Sequence, residues 1–303
     1  MIQYKIVKFD IEFENPLLFK VYPPFIFRSV LGKELKRMAC IFKGSVCSEC
    51  SLKYTCVYSY MFESPVNKDN PIIYGRNFVS HPFLLWSENV LGRKVKRIVL
   101  EVLLIGKGIE YLPYIYFAFL KAGEIGIFKE RNKYRINDVL TSEGSIMQSK
   151  EKIKMNFERD EWFLDDASNI NASSVSVYLL SPYRVKYGGK YGTDFSAIDF
   201  FNSVKRRMVI LGKFYGNLKE EEIIYAAFGG KYKIFEKNMY WYDLNYYSAR
   251  QGQRLKLGGV LGNFAIEGRL GPMEISLLKG AEIFHIGKNP SFGLGKIKVE
   301  IGK

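Results

Sequence analysis

Histidine is scarce in this chain, and cysteine is confined to one segment. Only two of the 303 residues are histidine, and all four cysteines lie between Cys40 and Cys56. The longest apolar runs, YLPYIYFAFL and RIVLEVLLIG, are far shorter than the roughly 18–20 residues that a membrane-spanning helix needs. The N-terminal sequence MIQYKIVKFD lacks the basic and then apolar pattern of a signal peptide. We therefore expect a cytoplasmic protein that neither enters a membrane nor relies on disulfide bonds.

Acidic residues are also in deficit. Forty-five Lys and Arg residues face 31 Asp and Glu, which gives a formal net charge of +14. Such an excess favours polyanionic partners, nucleic acid before an anionic membrane surface. A hydrophobic content of 48% excludes a disordered chain. A length of 303 residues predicts two domains.

The cysteines follow the pattern C-x6-C-x2-C-x5-C, formed by Cys40, Cys47, Cys50 and Cys56. A C-x2-C pair brings two thiolates to one metal ion from a tight turn, and two further cysteines complete a tetrahedron. We expect a structural zinc ion, because four protein ligands leave no open position for a substrate. An iron–sulfur cluster is the alternative, since it also takes four thiolates. Free thiols are the third interpretation.

The apolar pattern predicts the same order of elements twice: strand, helix, two strands, helix, strand. The closing segments of the two halves, residues 119–139 and 277–299, also resemble each other. We predict an α+β protein made of two tandem ferredoxin-like (RRM-like) βαββαβ domains, at residues 1–165 and 166–303. The first carries a cysteine-rich insertion at about residues 40–95. The second carries a glycine-rich loop at residues 285–296.

The glycine-rich loop, GKNPSFGLGK, matches neither common phosphate-binding motif. A Walker A loop would have glycine where Pro290 stands and Ser or Thr in place of Ile297. A dinucleotide fingerprint is excluded because the loop precedes a strand, not a helix. Glycines still let exposed backbone N–H groups approach an anion.

Three other stretches are also basic: SPYRVKYGGKYG and YYSARQGQRLK interleave Lys and Arg with tyrosines, and SVKRRMV carries three cations in succession. This combination suits RNA, whose phosphates take the charges while splayed bases stack on rings. The predicted RNA-binding residues are Arg184, Lys186, Lys205, Arg206, Arg207, Arg250, Gln251, Gly287, Gly293, Gly295 and Lys296.

Five stretches together resemble the CRISPR precursor-RNA processing endoribonucleases, the Cas six family of the repeat-associated mysterious protein (RAMP) superfamily, in its branch with a cysteine-rich insertion. They are CSECSLKYTCVYSYMFE, SPYRVKYGGKYGTDF, SVKRRMVIL, YSARQGQRLKLGGVLGNFAIEG and HIGKNPSFGLGKI. The resemblance implies cleavage of CRISPR repeat RNA without a catalytic metal. The ribose 2′-hydroxyl would attack the adjacent phosphate and leave a 2′,3′-cyclic phosphate.

Such a reaction needs an acid, a base and positive charge on the phosphorane. We predict His285 as the acid or base, Lys288 as the stabilising cation and Tyr187 as an assisting group. His81 is the weaker histidine candidate, because its sequence neighbours are not basic. Many relatives carry a catalytic histidine on or near the first helix, whereas the corresponding stretch here, FRSVLGKELKRM, has none.

Two other functions remain open from the sequence. The chain is alternatively a non-catalytic RAMP subunit that binds guide RNA in a CRISPR effector complex. A third interpretation is a metal-stabilised protein-interaction module. The expected partner is CRISPR repeat RNA, with a monomer or homodimer as the expected state.

Overall fold

The computed structural model describes residues 1–44, 46–66, 77–164, 167, 170–218, 231–248 and 253–302. The chain folds into two compact units. The N-terminal unit holds residues 3–160, and the C-terminal unit holds residues 161–303 together with residues 1–2. This division lies just ahead of the predicted boundary at residue 165.

The N-terminal unit has the βαββαβ order. Its elements are β1 (Ile2–Leu18), α1 (Pro23–Ala39), a π-helical turn (Ser59–Glu63), β2 (Phe83–Trp86), β3 (Lys94–Ile105), a 3-10 helix (Gly106–Tyr111), α2 (Leu112–Ile125) and β4 (Tyr134–Thr141). The antiparallel sheet has the order β2-β3-β1-β4. Short strands follow at Gly144–Ser145 (β5), Met147–Ser149 (β6), Lys152–Ile153 (β7) and Asp160–Trp162 (β8).

The core of this unit follows the apolar period of the sequence. Alternate residues of β1, among them Phe9 and Ile11, are fully buried. Leu31 and Leu35, four residues apart on α1, belong to the same core cluster. Because strand side chains alternate with period two and helix faces repeat every three to four residues, these local patterns position both elements.

The C-terminal unit repeats the order. Its elements are β9 (Ala172–Tyr183), β10 (Lys186–Tyr187), β11 (Lys190–Tyr191), α3 (Ala197–Tyr215), β12 (Lys233–Tyr242), β13 (Asn245–Ser248), β14 (Gln253–Lys256), β15 (Gly259–Leu270), α4 (Pro272–Phe284), a 3-10 turn (Pro290–Phe292) and β16 (Ile297–Gly302). The sheet order, β12-β15-β9-β16, matches that of the first unit. The predicted α+β class with two ferredoxin-like domains is therefore confirmed. In the described part of the chain, no helix combines the length and the apolar character needed to cross a bilayer.

Candidate functional site

The glycine-rich loop is attached by backbone hydrogen bonds to the end of β9. Lys288 N–H donates to the carbonyl of Arg184 at 2.9 Å, and Gly295 N–H donates to the carbonyl of Pro182 at 3.1 Å. A further bond closes the loop, from Ile286 N–H to the carbonyl of Gly295 at 2.9 Å. The loop therefore holds residue 288 beside the last residues of β9.

The loop glycines serve this close packing. Gly287 has a φ of +78°, and a Cβ there would stand 2.7 Å from the Arg184 carbonyl oxygen. At Gly295, with φ of +73°, a Cβ would stand 1.8 Å from the carbonyl oxygen of Ile286. Gly293 and Gly295 are buried, and both donate their N–H groups to backbone carbonyls within the unit. The predicted RNA-binding role of Gly293 and Gly295 is therefore wrong, because their donors are already used.

His285 does not face solvent. It ends α4 with a φ of +51°, is 3% exposed, and its Nδ1 lies 3.3 Å from the carbonyl oxygen of Leu294. Burial above all, together with the charges of Lys296 and Arg207, lowers the pKa of His285 to about 3. A neutral, enclosed imidazole cannot reach a phosphodiester in solvent. The prediction of His285 as acid or base is wrong for this structure, in which the ring holds the two ends of the loop together.

Three side chains gather at the solvent side of the same loop. The Arg184 guanidinium carbon lies 4.2 Å from the ring centre of Tyr191, and Lys288 Nζ lies 5.7 Å from it. Arg184 Nη1 also donates to the carbonyl of Gly258 at 2.7 Å, which fixes the guanidinium. We call Arg184, Tyr191 and Lys288 the Arg–Tyr–Lys cluster.

The electrostatics of the cluster favour anions. Partial burial alone would raise the pKa of Tyr191, but the hydrogen bond and charge of Lys288, together with Arg184, outweigh it and lower the pKa below its usual range. Tyr191 remains 37% exposed. Two cations and an acidified hydroxyl therefore stand together at an accessible surface.

Tyr187, predicted to assist catalysis, lies on the other arm of the same hairpin. Its hydroxyl oxygen accepts a hydrogen bond from Asp194 N–H at 3.1 Å, and its ring packs 6.5 Å from that of Phe195. Cross-strand pairing sets Tyr187 opposite Lys190 and Tyr191 opposite Lys186. The structure thus brings Tyr191, not Tyr187, to Lys288. The sequence signal, one tyrosine on each side of Gly-Gly, does not distinguish the two.

The basic run on α3 divides between core and surface. Arg207 is 4% exposed, and its Nε donates to the carbonyl of Phe284 at 3.1 Å. Its predicted RNA contact is wrong, since the guanidinium is enclosed. Arg206 is exposed and Lys205 is half-buried. Successive helix residues point about 100° apart, so three adjacent cations cannot share one face.

The remaining predicted RNA ligands have mixed positions. Lys186 is exposed and Lys296 is half-buried. The backbone of Lys296 joins the sheet, its N–H donating to Ser181 Oγ at 2.8 Å. Arg250 and Gln251 lie outside the described residues.

Cations of the N-terminal sheet, in contrast, pair with carboxylates. Arg97 forms an ion pair with Asp10, and Arg135 Nη2 donates to Glu12 Oε2 at 2.9 Å. The hydrogen bond from Arg135 lowers the pKa of Glu12 to about 2, with Asn137 adding to the effect. These charges are compensated locally, so the C-terminal cluster is the stronger anion site.

His81 gains in the structure the basic neighbour that its sequence context lacks. Arg28 Nη2 on α1 lies 3.0 Å from His81 Nε2, and Ser64 Oγ lies 3.2 Å from His81 Nδ1. Ser64 Oγ donates its proton to the carbonyl of Tyr60 at 3.0 Å. Nδ1 therefore carries the ring proton and donates to Ser64, while Nε2 accepts from Arg28. Arg28 and His81 are 53 residues apart, and no local pattern signals their contact.

The four cysteines of the C-x6-C-x2-C-x5-C pattern lie around one common space. Cys40, Cys47, Cys50 and Cys56 all line one small cavity. The 47–50 segment forms a tight turn, with Cys50 N–H donating to the Cys47 carbonyl at 3.4 Å. Burial raises the pKa of Cys47, although the charge of Lys36 opposes it. Within the described ranges, no three Cys, His, Asp or Glu side chains are gathered closely enough to hold a metal ion. The thiols thus face a common space without being drawn to ligand distances.

A basic cluster with an exposed tyrosine, carried on a ferredoxin-like unit, is typical of an RNA-binding protein. Residues 177–297 match the family model of the CRISPR-associated endoribonuclease Cas6, and residues 2–158 match a family model described as an N-terminal domain. The Cas6 model therefore matches the C-terminal part of the chain, and the N-terminal part matches a separate model.

Solved structures agree on the fold. Thermus thermophilus Cas6 is similar at a TM-score of 0.55 and 15% identity, over 99% of both chains. A Cas6 product complex is similar at a TM-score of 0.57 and 13% identity, over 98% of this chain and 99% of that one. A chain of a partial Cas6-RT-Cas1–Cas2 complex reaches 0.59 at 14% identity, over all of this chain and 46% of that one. Among curated protein sequences, no significant match is found.

Proposed function

We propose that this protein cleaves CRISPR repeat RNA in the precursor transcript to give mature guide RNAs, without a catalytic metal. The match to the Cas6 family model supports RNA processing. The observation that carries the proposal is the Arg–Tyr–Lys cluster, in which two cations flank one accessible tyrosine hydroxyl whose pKa is lowered. No metal is required in this reaction, because the nucleophile is built into the substrate.

The chemistry assigns one task to each member of the cluster. The ribose 2′-oxygen attacks the adjacent phosphorus as the bond from phosphorus to the 5′-oxygen breaks. Tyr191 in its phenolate form, which the cations favour, takes the 2′ proton. The Lys288 ammonium gives a proton to the leaving 5′-oxygen. Arg184 neutralises charge on the phosphorane. The products are a 2′,3′-cyclic phosphate and a 5′-hydroxyl end.

The test is single-turnover cleavage of the cognate repeat RNA in excess EDTA. We expect wild type to cleave, and Tyr191→Phe and Lys288→Ala each to lose about 100-fold or more in rate, the typical loss for one acid–base or electrostatic group. Lys129→Ala, which removes an exposed lysine of the N-terminal unit, is the matched control and should cleave as wild type. His285→Asn should also cleave.

Three results would count against the proposal. If Tyr191→Phe and Lys288→Ala both cleave as wild type does, the catalytic groups lie outside the Arg–Tyr–Lys cluster. Loss of cleavage in His81→Ala would then assign catalysis to His81. Activity that EDTA abolishes and Mg²⁺ restores would refute the metal-free route. Tight binding without cleavage by wild type would favour the non-catalytic guide-RNA subunit. The specific observation behind that alternative is that both histidines already hold structural contacts.

We also propose that Cys40, Cys47, Cys50 and Cys56 hold a structural zinc ion, because four thiols on one cavity match its tetrahedral preference. A bound ion would draw the thiols together and close the segment that follows α1. Metal analysis of the purified protein should give one zinc per chain, lost in Cys50→Ser. Visible absorption with acid-labile sulfide would show an iron–sulfur cluster instead, and four titratable thiols without metal would refute both.

A further inference from the structure

An exposed tryptophan is held rigidly beside the Arg–Tyr–Lys cluster. Trp241 on β12 is 38% exposed. Its Nε1–H donates to Asp243 Oδ1 at 2.9 Å. A Cβ built at Gly258 would stand 2.6 Å from Trp241 Cζ2, so the indole lies directly against the Gly258 backbone. The ring is therefore fixed by a hydrogen bond and a glycine contact, although much of it faces solvent.

The same glycine links the indole to the cluster. The carbonyl of Gly258 accepts the hydrogen bond from Arg184 Nη1 at 2.7 Å. Arg184 in turn lies over Tyr191, and Lys288 approaches the same ring. One residue, Gly258, thus touches both an exposed aromatic face and a cation that is fixed for an anion.

An aromatic face next to phosphate-binding cations is the arrangement that single-stranded RNA occupies, with a base on the ring and its phosphate on the charges. A large indole kept in water also gains more from being covered than a smaller ring does. We propose that Trp241 is a stacking platform for one unpaired base of the RNA, and that Arg184 and Lys288 hold the neighbouring phosphate. The inference rests on the proposed function only in taking RNA as the ligand.

Tyr240 supplies a matched control on the same strand. It is 56% exposed and precedes Trp241 directly. Successive strand residues point to opposite faces, so Tyr240 presents its ring away from the platform. Loss of either ring removes one exposed aromatic side chain from β12, but only one of the two rings lies against Gly258.

The experiment measures affinity for a non-cleavable repeat RNA with 2′-O-methyl groups, and for a series that lacks one base at a time. We expect Trp241→Ala to weaken wild-type affinity about 10-fold or more, Trp241→Phe to retain most of it, and Tyr240→Ala to change it less than twofold. At one abasic position, wild type should lose affinity by a similar factor, whereas Trp241→Ala should lose no further affinity there. The two changes remove the two partners of the same stacked pair, so their effects should not add.

Equal affinity of Trp241→Ala and wild type would overturn the inference, as would additive losses at every abasic position. Failure of wild type to bind the RNA would overturn it too. Cleavage in EDTA is scored separately on unmodified RNA. If the losses of affinity from Trp241→Ala and from one abasic position are not additive, but wild type does not cleave, the stacking proposal is supported and the nuclease proposal is refuted. If wild type cleaves but the losses of affinity are additive at every abasic position, the nuclease proposal is supported and the stacking proposal is refuted.

Discussion

Replacement of His285 by asparagine should change how stability depends on pH. The variant keeps the hydrogen bond to the Leu294 carbonyl, because an Asn side-chain N–H can donate to it as Nδ1 of His285 does. Histidine already holds this backbone at φ of +51°, and asparagine is enriched at positive φ to a similar degree as histidine, so the exchange leaves the backbone demand the same. It cannot be protonated, however, so any contribution from titration of residue 285 disappears.

The size of this pH dependence follows from the lowered pKa of His285. The pKa of His285 falls from 6.5, its ordinary value, to about 3 in the folded protein, chiefly through burial. Between these values the unfolded chain binds a proton that the folded chain does not, so stability falls as the pH falls below 6.5. Linkage gives a loss of about 2 kcal/mol from this one group between pH 7 and pH 5. The variant should lack that loss.

The assay is urea unfolding of wild type and His285→Asn at pH 7 and pH 5. Other titrating groups are common to both proteins and cancel in the difference between the two pH dependences. The chain has only two histidines, so NMR adds a direct check. The resonance missing from His285→Asn should not titrate in wild type between pH 7 and pH 5. Equal pH dependence of the two proteins, or titration of that resonance near 6.5, would refute the buried position of the imidazole.

Three further predictions concern the same unit. Gly295→Ala should destabilise the unit by about 2 kcal/mol or more in thermal unfolding, because a Cβ at this positive φ would collide with the Ile286 carbonyl. Gly188→Ala is the control: its φ is +50°, but no atom lies within 4 Å of the added Cβ, so the variant should cost about 1 kcal/mol. Arg207→Met should leave RNA affinity unchanged and lower the melting temperature little, since Nη1 and Nη2 of Arg207 are buried with no hydrogen-bond partner among the described residues. Arg206→Ala should instead weaken RNA binding, and the affinity of this variant should fall with salt less steeply than that of wild type, by about 0.7 log units per tenfold salt. Ser196→Ala should cost about 1 kcal/mol, because Ser196 Oγ accepts from Asp199 N–H at 3.1 Å and caps α3; an unchanged unfolding midpoint would show that the cap is not used.

Local features of the sequence were enough for the class and order of elements. The alternation in β1 and the helical spacing of Leu31 and Leu35 are set by covalent geometry, which acts within a few residues. The glycine-rich loop and the placement of the four cysteines around one cavity also follow from spacing along a short segment. The excess of positive charge is fixed by composition alone, and it indicates the chemistry of the partner without locating the site.

Tertiary structure alone decided which side chains form the site. Whether His285 faces RNA or the core depends on how α4 and the loop pack, and the packed result is a neutral imidazole. The choice of Tyr191 over Tyr187 depends on the position of one hairpin relative to Lys288. Arg28 meets His81 across 53 residues. Burial and long-range proximity arise only when the whole unit closes. The sequence by itself therefore determined the kind of surface this protein carries, while its fold determined the residues that we propose to act there.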